Sequence, residues 1–248
     1  MLKTPRQTRK SPFLLFPVTL LLVLLLWLPW VSAEEEPKPK PQPWQIDGIM
    51  AALEDDLPRV KQYALDKLTE YDLQNLKSVG REPEDIAKKA ADILKDEKVD
   101  ADVRAKAAEA LGNFGQAAAK YVPDIVNILK DEKVSAYVRA YAAEALGNFG
   151  QAAAKYVPDI LNFLKDEKVS ANVRAKAAEA LGNFGQAAAK YVPDILNILK
   201  DEKVFAYVRA KAAEALGNFG QAAAKYVPDI LNILKDEKVF AYVRAKAA

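Results

Sequence analysis

Glutamate recurs at Glu109, Glu144, Glu179 and Glu214, and arginine at Arg104, Arg139, Arg174, Arg209 and Arg244, each copy 35 residues after the last. Paired carboxylates can exchange protons, and guanidinium groups brought together can hold an anion through charge-assisted hydrogen bonds. Acid–base work by two carboxylates needs unlike environments, so that one holds a proton while the other is charged. Identical copies in identical frames lack that asymmetry, and the glutamates read as architecture. Composition closes other routes. The 248 residues contain no histidine and no cysteine, which removes imidazole and thiolate metal sites, Ser/His/Asp and Cys/His nucleophiles, and disulfides. No catalytic residue, metal ligand or cofactor site is assigned.

The elements that carry these residues follow from the repeat itself. A block beginning Leu94-Lys95-Asp96-Glu97-Lys98-Val99 starts again at Leu129, Leu164, Leu199 and Leu234, and the last copy runs to Ala248. A fixed period of this size marks a stack of helical units, none able to bury its apolar face alone. Asp100-Ala101-Asp102 can cap a helix through Val103–Leu111 that stops at Gly112-Asn113-Phe114-Gly115, where glycine suits a left-handed cap. Val103, Ala107, Ala110, Leu111 and Phe114 form one apolar stripe. Ala105, Ala108 and Gly112 form a small-residue face that admits a close neighbour, and Asp102, Lys106, Glu109 and Asn113 form a polar strip. A short turn over Gln116–Lys120 then leads to a second helix from Val122, with Pro123-Asp124 in its first turn and Val122, Ile125, Val126 and Leu129 facing inward. Gly115 is read as the hairpin between the two helices. The fold class is all-α, an α-solenoid of stacked helical hairpins with a 35-residue period.

The run Leu-Lys-Asp … Val-Arg-Ala-x-Ala-Ala-Glu-Ala-Leu-Gly-Asn-Phe-Gly … Val-Pro-Asp-Ile resembles a HEAT-like repeat, of the short bacterial kind related to phycobilisome lyases. The resemblance covers residues 82–248, and residues 45–81 read as a degenerate N-terminal unit. There Ile49–Asp56 stands for the first helix and turn, and Val60–Leu65 for the Val-Arg-x-x-Ala helix. What the resemblance implies is a structural ladder between turn acids Asp96, Asp131, Asp166, Asp201 and Asp236 and arginines Arg104, Arg139, Arg174, Arg209 and Arg244. Its rival is an anion site of stacked arginines. HEAT-like hydroxylases use His–Glu metal pairs, which this chain cannot form.

The copies differ at few places, and those differences cluster. Position 100 and its equivalents read Asp100, Ser135, Ser170, Phe205 and Phe240; position 102 reads Asp102, Tyr137, Asn172, Tyr207 and Tyr242; position 106 reads Lys106, Tyr141, Lys176, Lys211 and Lys246. Val126 against leucine, and Phe163 against isoleucine, are apolar exchanges that repack a core. Stacking aligns Tyr137, Tyr141, Tyr207 and Tyr242 on one face with Phe205 and Phe240 at its edge. Aromatic side chains beyond the needs of packing read as a partner-binding surface. Neutral drift of a duplicated surface position is the alternative.

The N-terminal segment is an address. Met1–Lys10 is basic, Phe13–Trp30 carries no charge, and Val31-Ser32-Ala33 precedes Glu34-Glu35-Glu36. Basic flank, apolar centre and small residues before the acidic run match a secretory signal peptide cut after Ala33; an uncleaved membrane anchor is the other reading. Both put residues 34–248 outside the cytoplasm, periplasmic, secreted or tethered through residues 13–33. Glu34–Trp44 alternates proline with charge and reads as an extended linker. Net charge is +2 overall; setting aside Lys3, Arg6, Arg9 and Lys10 leaves −2 for residues 34–248, against nucleic-acid binding. The functional expectation is a non-enzymatic scaffold for a protein or peptide partner. The resemblance implies the alternative, a lyase-like or chaperone role in assembling another protein. At the C-terminal end the final unit is expected to expose apolar surface, and there to fray, to dock another chain or to continue past Ala248.

Overall fold

The computed structural model describes residues 38–73, 83–237 and 239–247. The signal or anchor segment and residues 34–37 of the linker lie outside them, as do residues 74–82 of the N-terminal region. Helices account for all of the regular structure among the described residues. They are α1 (Pro43–Glu54), α2 (Pro58–Thr69), α3 (Pro83–Lys95), α4 (Ala101–Phe114), α5 (Val122–Lys130) and α6 (Ala136–Asn148). After these come α7 (Val157–Lys165), α8 (Ala171–Asn183), α9 (Val192–Lys200), α10 (Ala206–Asn218), α11 (Val227–Lys235) and α12 (Ala241–Ala247). No helix among the described residues is long and apolar enough to cross a membrane.

The hairpins fall one step away from the expected place. Gly115 does take positive φ, at 52°, but Gly115–Tyr121 forms a seven-residue 3-10 segment that carries the chain from one layer to the next. The sharp reversal is Asp131–Ser135, so each leading helix pairs most extensively with the trailing helix that follows it: α3 with α4, α5 with α6, α7 with α8, α9 with α10. Composition explains the shift. Asp131 accepts the Lys133 amide on its side chain at 2.9 Å, its own backbone N–H closes the last turn of α5 on Asn127, and Ser135 receives the Val138 amide at the start of α6. The acid and the serine thus satisfy helix-end groups on both sides of a five-residue turn.

Gly112 stays inside α4 instead of ending it, and its lack of a side chain serves packing. The trailing helices α2, α4, α6, α8, α10 and α12 lie side by side in one row, and their contact line is alanine and glycine. A Cβ on Gly112 would lie 3.0 Å from the Ala145 Cα, one on Gly147 2.6 Å from the Ala180 Cα, and one on Gly182 2.9 Å from the Ala215 Cα. Ala105, Ala108, Ala140 and Ala143 of the same row are buried. The apolar stripe of each trailing helix and the inward face of each leading helix complete a continuous core, including Val103, Leu111, Phe114, Ile125 and Leu129. Each fully buried Leu, Ile or Phe contributes about 1.5–3 kcal/mol relative to an exposed one.

Two segments depart from the sequence reading or bear on it directly. The described end of the linker packs on the helices instead of standing away from them. Pro43 and Trp44 already belong to α1, Pro41 is buried, and the Pro39 carbonyl accepts the Asp72 amide at 3.0 Å. Proline fits a first helical turn because it needs no N–H acceptor. At the other end, α11 shows the apolar surface that was expected. Val227 is 46% exposed and Leu231 43%, where their equivalents Val192 and Leu196 are 1% and 4% exposed.

Candidate interaction surface

The repeated charges form two ladders, and neither is the Asp–Arg ladder that the resemblance implied. Arg104, Arg139, Arg174 and Arg209 each donate Nε–H to a leucine carbonyl at the end of the preceding leading helix, Leu94, Leu129, Leu164 and Leu199, at 2.8–2.9 Å. The guanidinium charge thereby sits at the negative end of that helix. Asp131, Asp166 and Asp201 instead accept the amides of Lys133, Lys168 and Lys203. Each Arg thus reaches back from its own helix to the C-terminal end of the preceding one, while each Asp side chain is taken up by an amide within the turn. Arg174 and Arg209 are only 3% exposed, so among the described residues the stacked arginines do not form a continuous accessible row for an anion. Arg139 is less buried, and its guanidinium lies 5.5 Å from the centre of the Phe163 ring, a reason for aromatic character at that single copy.

The first ladder that does form joins the leading helices. Lys95 meets Asp124 at 3.3 Å, Lys130 meets Asp159 at 2.8 Å, and Lys165 meets Asp194 and Lys200 meets Asp229 at 2.6 Å. Each couples the last turn of one helix to the first turn of the next. The sequence carries the signal, since this Lys precedes this Asp by 29 residues in every copy, a separation that spans two layers and is not visible within a single helix.

The second ladder runs along the trailing helices and takes up the repeated glutamates. Lys106 bridges Asp66 at 3.0 Å and Glu109 at 2.9 Å. Lys176 meets Glu144 at 2.8 Å and Glu179 at 3.4 Å, Lys211 meets Glu214 at 2.6 Å and Glu179 at 3.7 Å, and Lys246 meets Glu214 at 2.7 Å. The hydrogen bond to Glu214 holds the Lys211 ammonium above its usual range against the opposing effect of burial. Burial works to raise the Glu214 carboxyl, but its bonds to Lys211 and Lys246 outweigh that and leave it low. Each repeated glutamate is thus engaged by a lysine of its own layer or of a neighbouring one. Among the described residues no acidic cluster could hold a metal ion.

Tyr141 occupies the rung where the other layers have lysine. It is half-buried against the core, with the ammonium groups of Lys106 and Lys176 5.9 Å and 5.8 Å from its ring centre. Tyr137, one turn earlier, meets it edge-on with 5.0 Å between ring centres. The hydrogen bond to Tyr141, helped by burial, pushes the Tyr137 hydroxyl up to about 12. The remaining aromatic residues stand in water. Tyr137, Tyr207 and Tyr242 are between 41% and 48% exposed, and Phe205 and Phe240 are 67% and 68% exposed. They occupy equivalent places at the N-terminal ends of α6, α10 and α12, so the row of packed trailing helices sets them in line.

The edge has a chemical gradient. At α4 it presents Asp100 and Asp102, both exposed, beside a groove of about 440 Å³ lined also by Leu57, Pro58, Arg59 and Gln62. Asp100 caps its helix by accepting the Asp102 amide at 2.8 Å, and Ser135 caps α6. At α10 and α12 the cap position is phenylalanine, which has no acceptor, and α10 has no side-chain cap. Replacing such a cap costs about 0.5–2 kcal/mol. A second groove, of about 410 Å³, lies between α1 and α2 and is lined by Trp44, Tyr63, Lys67 and Tyr71. Sequence reasoning missed it because no repeat marks these residues.

A row of helical hairpins stacked through alanine and glycine, each tied to the next by recurring ion pairs, defines an α-solenoid repeat protein. The family model described as HEAT repeats matches residues 122–203, and that described as PBS lyase HEAT-like repeat matches residues 103–131 and 208–236. The chain is a HEAT-like repeat protein. No curated protein sequence matches it. Among solved structures it is similar to Kap121p, with a TM-score of 0.58 and 18% identity over 81% of this chain and 22% of that one. It is likewise similar to Kap121p bound to Pho4p, with a TM-score of 0.59 and 17% identity over 82% and 22%. The karyopherin Kap121p bound to the extreme C-terminus of the protein phosphatase Cdc14p gives a TM-score of 0.60 and 17% identity over 82% and 22%. The chain thus spans less than a quarter of the length of those proteins, and the likeness is one of fold.

Proposed function

We propose that this protein is a non-enzymatic scaffold outside the cytoplasm, and that it binds a protein or peptide partner along the N-terminal edge of its trailing helices. The observation that carries the reading is the placement of Tyr137, Phe205, Tyr207, Phe240 and Tyr242. These are five large apolar side chains, all exposed and all on one edge, two of them at positions where a capping residue would stabilise the helix. Solvated surface does not need such residues, whereas aromatic side chains dominate the energetic centres of interfaces. Repetition in successive layers adds avidity without new chemistry. Export rests on the basic and apolar N-terminal segment. The bound forms of Kap121p, with Pho4p and with the Cdc14p terminus, are in keeping with a solenoid that takes polypeptide partners.

The test is affinity capture from the extracytoplasmic fraction with the full chain, against a variant carrying alanine at Tyr137, Phe205, Tyr207, Phe240 and Tyr242. A discrete partner retained by the wild type and lost by the variant, at unchanged helical content by circular dichroism, is the expected result. Equal retention by both proteins removes the edge from the mechanism, and turnover of a substrate by the purified chain overturns the scaffold reading. A protein recovered wholly in the cytoplasm contradicts export.

A further inference from the structure

Resting on that reading, we infer that the edge recognises an extended, polyproline-type segment of a partner, with basic residues at one end and apolar residues toward the other. Three observations combine. Helices packed as closely as the trailing row stand about 8–10 Å apart, and a polyproline helix completes a turn of three residues in about 9.3 Å. Every third residue of such a segment therefore meets a new layer in the same orientation. The side chains offered at those layers are Tyr137, then Tyr207 with Phe205, then Tyr242 with Phe240, all exposed; exposed aromatics are what polyproline segments dock against. Ser170 and Asn172 at the intervening layer are small and polar, leaving space for backbone and water.

The polarity comes from charge. Asp100 and Asp102 lie at the α4 end of the edge, and among the described residues neither takes part in an ion pair. Arg59 is the one base lining their groove. Tyr137 follows directly, close enough to Asp102 for that carboxylate to help keep its hydroxyl protonated. A carboxylate pair next to an exposed tyrosine ring attracts a guanidinium or ammonium group both by charge and through the ring face. At the α10 and α12 end the exposed positions are tyrosine and phenylalanine, without a carboxylate among them. A segment of about 12 residues at about 3.1 Å each spans the distance from α4 to α12.

The experiment uses fluorescein-labelled 13-residue peptides and the full chain, read by anisotropy. One peptide has two arginines at its N-terminus followed by proline and leucine at every third position; a second has the order reversed. A third lacks the arginines, and a fourth carries glutamates in their place. One arginine-bearing peptide is expected to bind at least 10-fold more tightly than the reversed, uncharged and acidic ones. Asp100→Asn with Asp102→Asn should remove that advantage and flatten the salt dependence, while Phe205→Ser with Phe240→Ser should weaken the arginine-bearing and uncharged peptides alike. Equal binding of all four peptides overturns the polarity and leaves the scaffold standing. Binding by none, with partner capture intact, overturns the polyproline-type recognition alone. Loss of partner capture itself sinks the scaffold reading beneath it.

Discussion

The same trailing helices are uniform along one line and divergent along another. At Gly112, Gly147 and Gly182, with Ala145, Ala180 and Ala215 opposite, successive copies are identical and backbone nearly touches backbone. Twelve residues upstream of these glycines and of Gly217 the copies read Asp100, Ser135, Ser170 and Phe205, and these side chains face water. The contrast shows where this architecture is free to change. The seam has no space in which a side chain could vary, while the edge tolerates any residue at a modest cost in capping. The edge moves from acids that cap their helix to phenylalanines that cannot. Only the last two layers pair exposed aromatics with a cap position that has no acceptor, Phe205 with Tyr207 and Phe240 with Tyr242, and substitution at these positions separates drift from selection.

The largest expected effect lies in the seam. Gly147→Ala places a methyl group 2.6 Å from the Ala180 Cα, so two helices must separate, at about 1–3 kcal/mol as for other overpacked contacts. This outweighs the gain of up to about 1 kcal/mol from removing a helical glycine. Gly217→Ala is the control, because nothing lies within 4 Å of the added methyl and only the gain remains. Urea midpoints should therefore move in opposite directions. Two shifts of the same sign would show that layer stacking does not set the stability of these helices.

Next in size is the edge. Phe205→Asp recreates the cap that Asp100 supplies to α4 at 2.8 Å and should raise stability by about 1 kcal/mol, seen as a higher melting temperature, while weakening partner capture. A variant that is both more stable and fully competent in capture would favour drift over selection at this position.

Much of this contrast is visible in the sequence. The period, the apolar stripes and the small-residue face of Ala105, Ala108 and Gly112 all follow from helical spacing, and the same spacing placed Tyr137, Tyr207 and Tyr242 on one face. Pairings that depend on three-dimensional phase were not legible. Gly115 and Asp131–Ser135 are both plausible reversals, and only the 3-10 path of Gly115–Tyr121 decides between them. The Arg139 and Asp131 side chains are within reach of one another by sequence, yet Arg139 donates to the Leu129 carbonyl and Asp131 accepts the Lys133 amide. The Lys165–Asp194 pair joins two layers, and a count of residues along a single helix does not reveal it. The groove at Trp44 and Tyr63 arises where the repeat is too degenerate to align.

A smaller effect separates the intact part of the trailing ladder from the rung that Tyr141 interrupts. Lys211→Met cuts the link between Glu179 and Glu214 and should cost no more than about 1 kcal/mol, since these groups are partly solvated; the loss should shrink in high salt. The pH dependence follows from the shifts. Lys211 is raised in the folded state, so its contribution is complete below the ordinary lysine range and disappears as pH climbs through the raised value. Glu214 is lowered, so its contribution is present above the ordinary carboxylate range and disappears as pH falls through the lowered value. Denaturant midpoints of wild type and Lys211→Met should differ most near neutrality and converge at both extremes. A difference that persists at acidic pH would mean the lysine acts through packing of its methylenes instead.

The least costly change tests the aromatic pair without disturbing either ladder. The hydrogen bond to Tyr141 pushes the Tyr137 hydroxyl up to about 12, against about 10 for a free tyrosine. A raised folded value means this group adds stability that is complete below about 10 and is lost between there and about 12. Tyr141→Phe keeps the ring between Lys106 and Lys176 but removes the hydroxyl, so Tyr137 should return toward the ordinary value. Difference absorbance of tyrosinate, with Tyr137→Phe to assign the transition, reads the shift directly. An unchanged titration would show that the two hydroxyls are not bonded in solution, leaving Tyr137 as free to turn toward a partner as Tyr207 and Tyr242 in the layers beyond.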